Sequence, residues 1–441
     1  MVVNIGTLAT PTSTGQVSYA HGLGVVPKAI IFNIGTVSSL TGYSNNAFLG
    51  WGFTDGTDSF SVAAASDGGV TTSNTSSSRR AAPVHLVVWA ESAFIISAFV
   101  SWDATNFTLD WTTVDVSAFK VNWLAIGGNS IDAKVLTWAT GTSTGNVVIS
   151  GVGFRPTTAI HIHDGVESTT VPVATADAHL GFGCVDQTGS AGQWYVYGRA
   201  DDNLADSDTY GESNNDAVVW KCDGSGVEDG KASHVSFGQG TETVNIDTAP
   251  GASMTVGALF LRGINTDAFS FNKSTDVGVP VAQSQTISIT PAAVITMSCC
   301  KAATDLPDCR VAIGMADGDA EQSLQWTDID AAATTVATSF ISTDKGIAIT
   351  DNDTPTTTAQ ADVTFSGSRV IYTWTTNNAV ATRLRGLAFA SSGGGGGGGG
   401  GPGGGGGGGG PGGPGPGPGG PPGHRDSTYF ISGRRRPKGA W

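Results

Sequence analysis

One pattern recurs three times along the chain, and it confines the fold to three similar units. The first copy holds Val100-Ser101-Trp102, Phe107-Thr108-Leu109-Asp110-Trp111 and Leu124-Ala125-Ile126-Gly127-Gly128. The second holds Val235-Ser236-Phe237, Glu242-Thr243-Val244-Asn245-Ile246 and Leu259-Phe260-Leu261-Arg262-Gly263. The third holds Val363-Thr364-Phe365, Val370-Ile371-Tyr372-Thr373-Trp374 and Leu387-Ala388-Phe389-Ala390. Within each copy the anchors Trp102/Trp111/Leu124, Phe237/Ile246/Leu259 and Phe365/Trp374/Leu387 are separated by 9 and then 13 residues, and successive copies are offset by 135 and 128. Upstream, Pro27–Phe32 answers Pro156–His161 and Pro291–Ile295, and Leu49–Phe53 answers Leu180–Cys184 and Ile313–Met315. A fixed period of this kind marks repeated structural units.

Each unit reads as β. Polar and apolar residues alternate through the Trp102–Trp111 blocks, as in a strand with one wet face. Thr, Val, Ile, Phe and Trp dominate, and Gly-Asp, Asp-Gly and Ser-rich clusters supply turns every 8–12 residues or so. The expected fold class is all-β: three tandem antiparallel β-sandwich, jelly-roll-like domains plus a Gly/Pro-rich C-terminal arm. The expected boundaries are 1–130, 131–270 and 271–392 for the three repeats, 393–423 for the linker and 424–441 for a terminal peptide. The run Ala331–Thr338 reads as a helical turn or a loop. Trp51, Trp102, Trp111 and Trp123 read as core, because Phe, Ile or Leu stands at their counterparts in the other copies.

Composition separates the body from the arm. Residues 393–423 are 24 glycines and 7 prolines and nothing else. As a flexible coil the segment would span on the order of 30 Å; extended at about 3.1 Å per residue it would reach roughly 96 Å. The last 18 residues carry five basic side chains against Asp426, so the net charge of −15 leaves the rest of the chain at −19. A body this acidic repels phosphate and argues against nucleic acid as a partner. No apolar run is long enough for a membrane-spanning helix, and Met1–Thr7 lacks the basic start of a signal peptide. The cysteines, Cys184, Cys222, Cys299, Cys300 and Cys309, are odd in number and absent from residues 1–183. They read as reduced thiols of a protein assembled in a cytoplasm, without the paired C-x-x-C spacing of zinc modules.

Chemistry is sparse in the sequence. No nucleophile elbow, H-E-x-x-H or P-loop is present, so the chain is read as no enzyme, with no cofactor. His161-Ile162-His163-Asp164 places two imidazoles on one face of a strand. Repeated around an axis they would suit a divalent metal, yet the pair occurs in the second copy alone and Phe32 takes the His161 position in the first. His161 and His163 are therefore weak metal candidates, read first as hydrogen-bonded or solvated side chains. Asp55-Gly56-Thr57-Asp58, Asp201-Asp202 and Asp317-Gly318-Asp319-Ala320-Glu321 are oxygen-rich loops that calcium could use and that hairpin turns also use. In the terminal peptide Tyr429, Phe430 and Trp441 offer apolar anchors, and Arg434, Arg435 and Arg436 offer bidentate contacts to carboxylates. At the end of a long tether they read as a docking arm.

The unit's pattern is carried by Gly24-Val25-Val26-Pro27-Lys28-Ala29-Ile30-Ile31-Phe32, Leu49–Phe53, Phe107–Trp111 and Leu124–Gly128. Over residues 15–390 it resembles β-rich domains of virion proteins of tailed bacteriophages, especially tail fibres, tail-tip proteins and head-surface appendages. The third copy departs most, lacking the Gly-Gly ending. The resemblance implies a structural virion component, a tail-tip or fibre protein that aids host attachment. It implies other virion subunits as partners, a homo-oligomeric trimer or ring, and a host surface glycan or protein as receptor. A head-decoration or head-fibre protein docked on the capsid is the alternative. A secreted carbohydrate-binding or hydrolytic protein is a reading of another class.

Overall fold

A computed structural model of the chain describes residues 2–37, 42–299, 306–350 and 356–391. The described chain is all-β and antiparallel, with one short 3-10 turn at Gly189–Gly192. Each repeat builds a large and a small sheet. In the first, the large sheet runs Val2–Ala9, Phe119–Gly127, Pro27–Val37, Ala47–Thr54, Ser59–Ser66, Thr75–Arg80, and the small one Gly15–Ala20, Asn106–Thr113, Ser92–Trp102, Val84–Val88. The second repeat uses the same order over Asp132–Arg262, and the third over Thr266–Ala390. Strand Thr266–Asn272 lies across residues 270 and 271 and pairs with Arg383–Ala390 of the third set. The Ala331–Thr338 run is a turn leading into strand Ala337–Ser342.

The burial pattern explains two kinds of strand. Central strands of the large sheets, such as Ala47–Thr54 and Ala178–Val185, are buried throughout. One face, with Ile31, Trp51, Ile160, Phe182, Ile295 and Met297, joins a single core shared by all three repeats. The other face, with Ile30, Phe32 and Ala125, packs on the repeat's own small sheet. Burial on both faces removes any need for alternation, so these strands read as continuous apolar runs. Small-sheet strands such as Asn106–Thr113 and Thr241–Thr248 have one wet face and alternate strictly. Trp51, Trp111, Trp123 and Trp374 are core residues, while Trp102 is half-buried and lies over Gly56.

The repeats exchange strands in a closed cycle. Val173–Ala176 of the second repeat leaves its own body and pairs with Thr75–Arg80, extending the first large sheet. Leu306–Pro307 of the third extends the second sheet at Thr209–Asn214. Gly42–Ser44 of the first extends the third sheet at Ala337–Ser342. The outermost native strand of every large sheet thereby gains a partner from the next repeat, which covers hydrogen-bonding groups that would otherwise template aggregation.

The opposite edges are latched in the same cyclic sense. Asp55 accepts from its own turn at Thr57 N (2.8 Å) and, through Oδ2, from Val135 N of the second repeat (2.8 Å). Asp186 accepts from Thr188 N (2.7 Å) and from Ala268 N of the third (2.7 Å). Asp317 accepts from Asp319 N (3.1 Å) and from Ile5 N of the first (3.0 Å). Two of the loops weighed for calcium thus spend their leading carboxylates on turn and latch, and Asp202 accepts from Thr75 N at 2.7 Å.

One buried cation anchors the first exchange. The Arg79 side chain is fully buried and pairs with Asp164 of the second repeat at 2.5 Å. It also donates to the carbonyls of Thr170 (3.0 Å), Val166 (3.3 Å) and Ser168 (2.6 Å). The guanidinium therefore holds the loop that leads into the exchanged strand. Close packing tightens the joint: a Cβ on Gly257 would come within 2.0 Å of the Phe60 ring from the first repeat. The described residues form one compact unit.

Removing Arg79 leaves Asp164 buried and unpaired, so Arg79→Ala is expected to destabilise the body by about 3–5 kcal/mol. A variant melting like the parent protein in a chemical denaturation series would remove Arg79 as the anchor. Trp111 is buried and donates to Tyr19 Oη at 3.1 Å. Trp111→Ala should cost about 3–5 kcal/mol by leaving a cavity in the first sandwich, read by the same unfolding curves.

Candidate functional site: a polar interior in the second repeat

Equivalent inward positions of the repeats carry different chemistry. At one set the first repeat has Phe32, Phe99 and Phe107, and the second has His161, His234 and Glu242. At the Phe32 and Phe107 positions the third repeat has Thr296 and Val370. At a neighbouring set the first repeat has Ile34, Phe48, Ala63 and Ala65, and the second His163, His179, Tyr197 and Arg199. There the third has Ser298, Arg310, Gln325 and Thr327. The strands keep their register while the sandwich interior of the second repeat turns polar. Its apolar packing is correspondingly divided in two.

His161 and His163 both point into this interior, whereas Ile160 and Ile162, which alternate with them, face the shared core. The two histidines belong to separate networks. His161 receives a hydrogen bond from Trp138 Nε1 at 3.4 Å, and its Nε2 lies 3.2 Å from Glu242 Oε2 without good alignment. The other carboxylate oxygen of Glu242 is 2.8 Å from His234 Nδ1. Burial alone would raise the Glu242 carboxyl, but its two histidine neighbours, His161 and His234, overcome it and hold it below its ordinary value. His163 accepts from Gly165 N at 3.2 Å and stacks on Tyr197. No group of metal-binding side chains is assembled among the described residues.

Beside His163 the interior opens into a cleft of about 400 Å³. Its walls include Glu167, Asp177, His179, Arg199, Lys221, Asp223 and Asp229. His179 and Arg199 stand directly opposite each other on adjacent strands. His179 Nδ1 is 2.5 Å from the Tyr197 hydroxyl. Burial drives the Tyr197 phenol well above its ordinary range and the His179 imidazole well below its own. Both are neutral, and the fully buried phenol finds its acceptor in Nδ1. The proton of His179 therefore sits on Nε2. Arg199 uses Nε on Asp201 and Nη1 on the Cys222 carbonyl (2.8 Å), and its Nη2 lies 3.9 Å from Asp177. Lys221 is held between Glu167 (2.5 Å) and Asp229 (2.7 Å).

This arrangement favours binding over covalent chemistry. Lys221 is spent on two carboxylates, and burial pushes the neighbouring Cys222 thiol up to about 12, away from a thiolate. Cys184, Cys299 and Cys309 are buried thiols as well. The docking residues expected at the C-terminus, Tyr429, Phe430, Arg434, Arg435, Arg436 and Trp441, lie outside the described residues. Sequence reading singled out His161 and His163 but missed His179, Tyr197, Arg199, Lys221 and Glu242. The available signal was the substitution of Phe and Ala in one repeat by His, Tyr, Arg and Glu at the same strand positions in another. No family model, curated protein or solved structure matches the chain.

Buried neutral histidines make the body sensitive to acid. Burial, then the charges of Lys221, His161 and Arg79, pulls His163 down to about 3. His85, buried between the Ser61 and Ser78 hydroxyls at 2.7 Å each, is likewise lowered to about 3. The unfolded chain binds these protons near pH 6.5, and the native state does not until about pH 3. The contribution of these two histidines to stability is therefore full above pH 6.5 and falls below it, by up to about 1.4 kcal/mol per pH unit for each group. His163→Ile, which installs the residue of the first repeat, should flatten the fall in melting temperature between pH 7 and 5. An unchanged slope would clear His163 of that role.

Proposed function

We propose that the protein is a non-enzymatic structural component of a tailed-phage virion, a tail-tip or fibre protein that aids host attachment. In this reading residues 424–441 join it to other virion subunits, with Tyr429, Phe430 and Trp441 as anchors and Arg434–Arg436 paired to carboxylates. The closed cycle of exchanged strands and aspartate latches carries the proposal. Such a body satisfies its large-sheet edges from within and stays folded while tethered at one end. Arg79, Lys221 and His234 are engaged in internal pairs, which suits a scaffold better than a catalyst. The acidic body repels nucleic acid. The threefold arrangement expected of a homotrimer is already built within one chain.

Deleting residues 424–441 is expected to leave the melting temperature of the body unchanged and to abolish incorporation into particles, measured by co-sedimentation and by imaging intact particles. Imaging of the full-length protein also separates a tail position from a head position. Normal incorporation of the truncated protein would overturn the docking role. Light scattering on the purified chain decides the homo-oligomer: a trimer mass keeps it, and a monomer mass leaves the internal cycle as the only threefold element.

A further inference from the structure

We propose that the cleft of the second repeat is a binding site for one neutral pyranose sugar. The floor of the cleft carries two donor atoms that make no hydrogen bond within the protein among the described residues. His179 is 7% exposed and Arg199 8% exposed. Each is opposite the other on neighbouring strands and lines the cleft. His179 Nδ1 is occupied by the Tyr197 hydroxyl, which leaves its Nε2–H for a ligand. Arg199 commits Nε and Nη1 to Asp201 and Cys222, and its Nη2, 3.9 Å from Asp177, makes no hydrogen bond within the protein among the described residues. Neither atom is sealed from the cleft, so an acceptor that enters it can reach both donors.

The rim supplies the opposite polarity. Glu167, Asp177, Asp223 and Asp229 contribute four carboxylates against the two cations Arg199 and Lys221. That excess of negative charge repels a phosphate, a sulfate or an acidic sugar. Lys221 already occupies the place an ammonium ligand would take between Glu167 and Asp229. A vicinal hydroxyl pair fits both walls, because each hydroxyl accepts from one donor and donates to one carboxylate. The volume of about 400 Å³ falls in the range of small-molecule sites, about 300–1,000 Å³.

The other repeats close this site. Phe48 and Ala65 stand at the positions of His179 and Arg199 in the first repeat, and Phe48 there packs against Trp89, Phe94 and Phe119. In the third repeat Arg310 and Thr327 take the two positions, and Arg310 is paired with Asp308 at 2.5 Å. A single sugar site per chain is therefore expected. The inference stands on the cleft and does not require the virion reading.

The test is saturation-transfer NMR on the intact protein with glucose, galactose, mannose and N-acetylglucosamine, and with N-acetylneuraminate and lysine as charged controls. Binding of at least one neutral sugar at about millimolar Kd is expected, with no transfer to either control. The double variant His179→Phe, Arg199→Ala reproduces the pair of the first repeat and should weaken binding at least tenfold. Asp177→Asn is the second variant. Asp177 has φ +65°, a conformation asparagine tolerates, and its Oδ1 accepts from Asp202 N at 2.8 Å, a bond the amide oxygen preserves. This variant should fold with an unchanged melting temperature and also bind more weakly. No transfer from any neutral sugar, equal transfer to Asp177→Asn, or preferential binding of either charged control would each overturn the proposal. Particle incorporation is not involved, so its failure and a failure here are read separately.

Discussion

Everything in this body depends on how the edges of three large sheets are satisfied. Each sheet has six strands of its own and two edges with unpaired backbone groups. One edge receives a strand from another repeat. The other is latched by an aspartate from the preceding hairpin. Both devices run around the three repeats and return to the first. A tandem array in an open line would leave its end repeats exposed. The cycle leaves no terminal repeat, and no capping unit is needed. The shared apolar core is a consequence, because the exchanged strands and latches bring the three large sheets face to face.

The joints rely on charge where packing alone would not set register. Arg79 reaches three carbonyls and one carboxylate of the second repeat from a fully buried position. Such a buried pair adds little net stability relative to apolar packing, but breaking it is costly. Its geometry suits it to holding one loop in one place, ahead of a four-residue strand that has few contacts of its own. The latch aspartates act likewise. One oxygen shapes the turn and the other reports to the next repeat, so local and long-range order are coupled in a single side chain.

Once the frame is closed, the inner faces of the sandwiches are free to differ. The first repeat fills its interior with Phe32, Phe48, Phe99 and Phe107. The second replaces them with His161, His179, His234 and Glu242, and opens a polar cleft. Buried polar groups destabilise a domain unless they are paired. The second sandwich bears that load because it is held on both sides by its neighbours. The second repeat thus joins a polar cavity to the acid sensitivity of His163, to which His85 of the first repeat adds its own.

The sequence by itself determined the repeat, its β character, and the strands with one wet face. These follow from local periodicity, which depends only on which faces meet water. Trp111 and Trp374 were legible as core because aliphatic residues stand at equivalent positions. The equal spacing of 131 residues from Asp55 to Asp186 and from Asp186 to Asp317 was also present, but nothing local distinguishes a latch from a turn. Only the tertiary structure decided which repeat each exchanged strand joins, since Val173–Ala176 and Gly42–Ser44 carry no signal of their destination. It alone set His161 beside Glu242 and His179 beside Arg199. Those contacts join residues 20 to 81 positions apart, and a buried pair is recognised by what surrounds it in space.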